Sequence, residues 1–156
     1  MAHVKEASRR WMYSGTRPNR LAGLLNRGTA AVAAAGIGPK RTVKLEVRGR
    51  RTGRQLSFPV VIADYRGERY LVAMLGKEAN WVRNVRAAGG KAVLRHGRHE
   101  NVVLEEIDSS MRAPILRRYL EVAPGARAHF PIDQRAALEQ FEQAADQYPV
   151  FRICAE

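Results

Sequence analysis

Val43-Lys44-Leu45-Glu46-Val47-Arg48 alternates apolar and charged residues, and Gly49-Arg50-Arg51-Thr52-Gly53-Arg54 follows it directly. A period of two places Val43, Leu45 and Val47 on one face and the charges on the other, a half-buried strand with a cationic outer face. The glycine-bracketed stretch 49–54 reads as a hairpin loop. A second apolar run, 58–63, comes next, and Pro59 assigns it to a sheet edge or a bulge. Further on, Tyr65-Arg66-Gly67-Glu68 is a turn and 70–75 a fully apolar third strand. Asn80 is placed to cap a short helix over 81–88, which Gly89-Gly90 ends. Strands over 92–96 and 99–107 flank Gly97-Arg98. A helix over 110–122 starts from Asp108 or Ser109, 124–131 is a loop, 133–145 a last helix and 150–153 a closing strand. Upstream, Leu21, Leu24 and Leu25 give 19–35 a helical stripe, bounded by Pro18 and by Gly36, Gly38 and Pro39; a weakly patterned helix over 3–13 precedes it. The expectation is a mainly β chain with helices (α+β). Five or six short strands in hairpins, with a helix between the third and fourth, form a small antiparallel barrel. No Gly-x-Gly-x-x-Gly turn follows a strand, so a doubly wound parallel sheet is not expected. Residues 1–18 read as an N-terminal extension and 19–156 as a single domain.

The length of 156 residues suits one domain, and 46% apolar with 27% charged residues is ordinary for a folded one. No apolar run approaches the roughly 18 residues of a spanning helix, and no export signal is seen. With Cys154 the single cysteine, neither an internal disulfide nor a cysteine zinc cluster is expected, and a cytoplasmic setting fits. The net charge of +12 is unevenly placed. Residues 1–57 hold 13 Lys and Arg against Glu6 and Glu46, while 58–156 are nearly balanced. The first third must hold or face something anionic: nucleic acid, an anionic membrane, or a small ligand with several negative charges.

Walker loops, His-Glu-x-x-His and Gly-x-Ser-x-Gly are absent. His3, His96, His99 and His129 are scattered, and no metal site is expected. An enzyme so small and so poor in catalytic motifs borrows a cofactor's reactivity. Four arginines and a threonine between Arg48 and Arg54 supply fork-shaped donors and open backbone N–H groups suited to phosphate or carboxylate. Met74-Leu75-Gly76-Lys77 leads to Asn80-Trp81-Val82-Arg83-Asn84. There a glycine exposes backbone to the close approach of a flat ring, beside a helix N-terminus that favours an anion.

Taken in order, Gly49-Arg50-Arg51-Thr52-Gly53, Pro59, Tyr70-Leu71-Val72-Ala73-Met74, the run Trp81-Val82-Arg83-Asn84-Val85-Arg86-Ala87-Ala88-Gly89-Gly90 and Ala123-Pro124-Gly125 resemble the deazaflavin-dependent nitroreductase and quinone reductase family of actinobacteria. The likeness spans roughly 19–153. It implies a split β-barrel like that of the pyridoxamine-phosphate oxidases. It also implies the 8-hydroxy-5-deazaflavin coenzyme F420, with FMN the lesser alternative, and hydride transfer to a small electron-poor acceptor such as a quinone, an activated alkene or a nitro compound. By the family pattern Arg50, Arg51, Thr52 and Gly53 hold the phosphate and glutamate-rich tail. Pro59 and Met74, Leu75, Gly76 and Lys77 line the ring, and Trp81 and Asn84 close the site. Three departures stand out. Leu56 replaces a common cation, and the link from Gly76 to Trp81 is short. Val61, Ala126 and Phe130 stand where nitro-reducing relatives have tyrosines. His129 is the replacement proton donor within 124–131. A carrier that binds the coenzyme without turnover is the main alternative. Nucleic-acid binding is not expected, because no aromatic residues interleave with the arginines from Lys40 to Arg54. Trp11 and Tyr13 beside Arg9 and Arg10 leave peripheral membrane contact open, and the sequence does not give the oligomeric state.

Overall fold

The computed structural model describes residues 41–156. The helices expected over 3–13 and 19–35, the extension 1–18 and the Trp11–Tyr13 membrane contact lie outside the described residues. Seven strands form one antiparallel sheet: β1 (Thr42–Arg48), β2 (Gln55–Val61), β3 (Ala63–Tyr65), β4 (Glu68–Val72), β5 (Lys91–Arg95), β6 (His99–Glu106) and β7 (Val150–Ala155), in the order β2-β1-β5-β6-β7-β4-β3. The two edge strands, β2 and β3, are separated in the chain by one residue, Ile62, whose N–H donates to Arg41 O at 2.8 Å. Edges that close in the chain must be close in space, so the sheet curls into a split barrel. Among the described residues three α-helices accompany it: α1 (Asn80–Ala87), α2 (Ala113–Val122) and α3 (Leu138–Ala144).

The alternation read in β1 sets the inside of the barrel. Leu45 pairs with Phe58 and with Leu94, and Val102 with Ala92; these inward side chains join Val43, Val47, Leu71, Leu104, Phe151 and Ile153 in one core. Helix α1 plugs that core with Val82 and Val85. A second core lies on the other face, where Val72 and Val150 meet Ile115, Leu116, Tyr119 and Leu120 of α2 and Phe141 of α3. At about 25 cal/mol per Å² of apolar area removed from water, these two layers supply most of the driving force for folding.

Several expectations are corrected. The described residues hold seven strands rather than five or six, because the run 58–63 breaks at Ile62 and Ala63–Tyr65 turns away to pair with β4. Asn80 is the first helical residue and makes no capping bond; the cap position is Ala79, in extended backbone. The expected third strand stops at Val72: the Ala73 N–H still follows the ladder to Pro149 O (2.9 Å), but proline has no N–H to return, and Ala73 O instead accepts the Gly76 N–H (3.0 Å), which starts a turn. The helix expected over 110–122 is divided. Asp108 accepts from Ser110 N–H and caps one turn of 3-10 helix (Ser109–Met111), and α2 begins only at Ala113. The last helix is shorter than read. Asp133 closes a local turn with the N–H of Arg135, and Ala137 is extended, so α3 starts at Leu138. Residues 124–131 are not an irregular loop but mostly a 3-10 helix, Pro124–His129. The outer face of β1 is not uniformly cationic either. Glu46 is only 7% exposed and takes Lys44 Nζ at 3.3 Å, Arg95 Nη1 at 3.1 Å and Gln55 Nε2 at 2.5 Å.

The double-glycine stop after α1 behaves as read. Gly89 and Gly90 both have positive φ, and the N–H of Gly90 reaches Val85 O (2.9 Å) while that of Gly89 reaches Arg86 O (3.2 Å), a Schellman closure. Gly90 also touches β6: a Cβ there would lie 2.6 Å from Leu104 O.

Candidate functional site

The β1–β2 hairpin tip is built by its glycines. Gly49 N–H donates to Arg54 O (2.7 Å), Gly53 N–H to Gly49 O (2.9 Å), and Gly53 sits at φ +69°, a left-handed conformation that side-chain-bearing residues resist. Thr52 Oγ1 accepts the Arg54 N–H at 3.2 Å, so the hydroxyl braces the turn. The tip is fastened to α1 by Asn84. Its Oδ1 accepts both the backbone N–H of Arg50 (3.2 Å) and Arg50 Nη1 (2.8 Å), and the residue is 3% exposed. Asn84 therefore holds the hairpin from inside. Arg51 and Arg54 are exposed, and neither guanidinium has an ion pair among the described residues.

Next to the hairpin the inner face of β2 carries an apolar strip. Leu56 (43% exposed), Phe58 and Val60 face the same way as Leu45. Phe58 lies 6.0 Å from the Trp81 ring and Trp81 lies 5.4 Å from Phe151, both tilted contacts that anchor a half-buried aromatic shelf. Pro59 is not part of it. It pairs with Lys44, so its side chain is on the outer face, away from Phe58 and Trp81.

Below α1 lies a cleft of about 470 Å³ lined by Met74, Leu75, Gly76, Lys77, Glu78, His129, Gln147 and Tyr148. Residues 74–77 and His129, singled out separately in the sequence, thus face one space. Gly76 turns at φ +93°, and a Cβ there would come 3.4 Å from Gln147 O. Lys77 N–H donates to the same carbonyl at 3.1 Å. The rim is closed by the Glu78–Arg83 ion pair. Tyr148 stacks on Phe130 at 4.2 Å and its hydroxyl donates to His129 O (3.3 Å), while burial pushes its phenol pKa up. The two halves of the site are joined by α1. From Ala79 at the cleft to Asn84 at the hairpin is five residues, about 7.5 Å along a helix axis.

Gln147, Tyr148 and Phe58 were not singled out in the sequence. Phe58 carried a signal, because an aromatic residue next to Pro59 on the inward register of an edge strand must cover something. Tyr148 carried none: its partners are 18 and 19 residues away, brought to it by the packing of the 3-10 turns. A second groove, about 550 Å³, runs over the outer face between Lys44, Glu46, Arg95 and His99. It holds none of the predicted site residues, and Glu46 already satisfies its cations. Among the described residues no group of three His, Cys, Asp or Glu is placed to hold a metal, and no helix is long and apolar enough to cross a membrane.

The site suits a coenzyme with a flat ring and an anionic tail. Outward guanidinium groups on a braced tip lie next to an aromatic shelf, and a glycine-floored cleft opens one helical turn away. Solved structures share the fold. An F420-H2 dependent reductase aligns with a TM-score of 0.50 at 16% identity, over 73% of this chain and 94% of its own. A domain-swapped dimer aligns at 0.51 and 15%, over 86% and 93%. A protein from Listeria innocua, provisionally assigned as a pyridoxamine 5'-phosphate oxidase, aligns at 0.50 and 10%, over 74% and 84%. No curated protein sequence matches the chain. The model of one sequence family matches residues 25–130, about two thirds of the chain, including the arginine hairpin, the cleft turn, α1 and His129. The chain belongs to the F420H(2)-dependent quinone reductase family and is an F420-dependent oxidoreductase.

Proposed function

We propose that the protein reduces a small electron-poor acceptor, a quinone first among them, with the acceptor and the deazaflavin ring sharing the cleft below α1. The observation that carries this reading is the convergence of residues 74–77 with His129 and Tyr148 on one cleft. That cleft is a single helix away from an arginine hairpin pinned by Asn84. When bound, reduced F420 supplies a hydride from C5 of its ring.

The chain's own residues do the rest. Arg51 and Arg54, with the backbone of the Gly49–Gly53 turn, take the phosphate and carboxylates of the tail through charge-assisted hydrogen bonds. Arg50 keeps its posture through Asn84. The Phe58–Trp81 shelf and the backbone at Gly76 take the ring, because a glycine lets the plane approach closely. Lys77 keeps a cation at the cleft. An imidazole N–H of His129 donates a proton to the reduced acceptor's oxygen. The Tyr148 phenol, held protonated by burial, fixes the backbone that carries that imidazole. Most of the rate enhancement then comes from placing acceptor and ring face to face and keeping water out.

Fluorescence titration with F420 and with FMN, followed by steady-state oxidation of reduced F420 with menadione, tests the reading. Tight F420 binding with turnover is the expected result; binding without turnover would make the protein a carrier. The double variant Arg51→Ala, Arg54→Ala is expected to weaken F420 binding by about 3–6 kcal/mol, two charge-assisted contacts at about 1.5–3 kcal/mol each. Unchanged affinity would remove the hairpin from the site.

A further inference from the structure

Arg112 is a buried cation outside the site just described. It is 7% exposed, and each part of its fork is used: Nε donates to Ile107 O (3.1 Å), Nη1 to Ala145 O (3.0 Å) and Nη2 to Glu106 Oε2 (3.2 Å). Glu106 is shared. Arg86, in the last turn of α1, grips both its oxygens at 2.9 Å, and its carboxyl is held below the ordinary range by those bonds first and by the charges of Arg86 and Arg112 besides, against the opposing pull of burial. A guanidinium buried at this depth stabilises a fold no better than a well-packed apolar side chain would, so its worth lies in the directions it fixes.

Those directions lead to the cleft. Ala145 opens the 3-10 turn Ala145–Gln147, and its carbonyl, besides taking Arg112, accepts the Tyr148 N–H at 3.3 Å. Two residues on, Gln147 O accepts the Lys77 N–H, and Pro149 O accepts that of Ala73. The wall made by Gln147 and Tyr148 is therefore suspended between Arg112 on one side and the 73–77 turn on the other. We infer that Arg112 is a positioning residue for the acceptor: it sets the gap between the Tyr148 wall and the Met74–Gly76 floor, and through Glu106 and Arg86 it ties that gap to the helix that carries the coenzyme hairpin. The inference rests on the cleft being the acceptor site.

The test compares Arg112→Met, Arg112→Lys and Glu106→Gln with Val102→Ala, a core variant in the barrel chosen to lower Tm by a similar amount. Readouts are menadione KM and kcat, F420 affinity by fluorescence titration, and hydrogen exchange of residues 73–79 and 145–149 without ligand. Arg112→Met is expected to raise acceptor KM about tenfold, leave F420 affinity within about twofold, and speed exchange at Lys77 and Tyr148. Arg112→Lys recovers part of the KM, and Val102→Ala moves neither KM nor those amides. If Arg112→Met does not fold, Glu106→Gln carries the same expectations at smaller size. A KM that tracks Tm alike in all variants, or exchange unchanged at Lys77, overturns the inference. Parent protein that binds F420 but does not turn over menadione sinks the reading of the cleft instead, and the exchange data still decide whether Arg112 positions its wall.

Discussion

Replacing Asn84 by Ala removes an acceptor that takes two hydrogen bonds from Arg50, one from a charged guanidinium at 2.8 Å and one from a backbone amide at 3.2 Å. The charged bond contributes about 1.5–3 kcal/mol and the neutral one about 0.5–1.5 kcal/mol. Arg50 is only half-buried, so water recovers part of both, and a net loss of about 2 kcal/mol is expected. For a chain of this length that lowers Tm by about 4–8 °C. The binding consequence is separate. The tip braced by Thr52 and Gly53 stays folded within itself but loses its fixed orientation relative to α1, so Arg51 and Arg54 must be ordered when the coenzyme arrives. F420 affinity should fall about tenfold, near 1.4 kcal/mol. Asn84→Asp, which keeps an oxygen beside Arg50, should bind within about threefold of the parent. Thermal melts and fluorescence titration read the two effects independently. A lowered Tm with unaltered F420 affinity in Asn84→Ala would refute the idea that the hairpin's posture matters for binding.

Gly76→Ala puts a side chain at φ +93° and 3.4 Å from Gln147 O, so it should lose about 1–3 kcal/mol and reduce menadione turnover by narrowing the cleft; parental urea midpoint and turnover would contradict both. His129→Ala should lower kcat while F420 affinity stays within twofold, and equal kcat would take the imidazole out of the mechanism. Glu100 and Glu106 each have a carboxyl held below the ordinary 4.5 by an arginine, Arg69 and Arg86 respectively. Groups depressed on folding stabilise fully above the unfolded value, and that contribution is lost as pH falls from 4.5 through the folded one. The urea midpoint should therefore be level from pH 7 to about 5 and drop below 4.5, less steeply in Glu106→Gln.

The sequence was a good guide wherever a local period or a glycine set the geometry. The alternation from Val43 to Val47 marked the barrel's inner face, and Gly49, Gly53, Gly89 and Gly90 marked turns that the backbone takes. It misled where a tertiary partner outbid local preference. The apolar run 70–75 ends as a strand at Val72 because Pro149, opposite Ala73, has no N–H to return, and Asn80, a good capping residue, falls one position inside the helix with Ala79 at the cap position. Glu46 read as one charge on the outer face of a strand, a face expected to be cationic, but Arg95 and Gln55 from the neighbouring strands enclosed it. The arginine hairpin and residues 74–77 stood out in the sequence as two separate features. That Asn84 faces Arg50 rather than a ligand, and that Tyr148 walls the cleft, depends on contacts across 34 and 19 residues that no spacing rule encodes.

The one-residue passage through Ile62 has a consequence for how this barrel behaves among its own kind. Sheet borders ordinarily invite strangers, since their amides and carbonyls await a mate. Here Ile62 joins the end of β2 to the start of β3, yet the two strands are not hydrogen-bonded to each other, and among the described residues the seven-residue β2 has a partner strand on one side alone. Lengthening that passage by a few flexible residues would let β3 swing further from β2, leaving the open border of β2 easier for a neighbour's strand to reach.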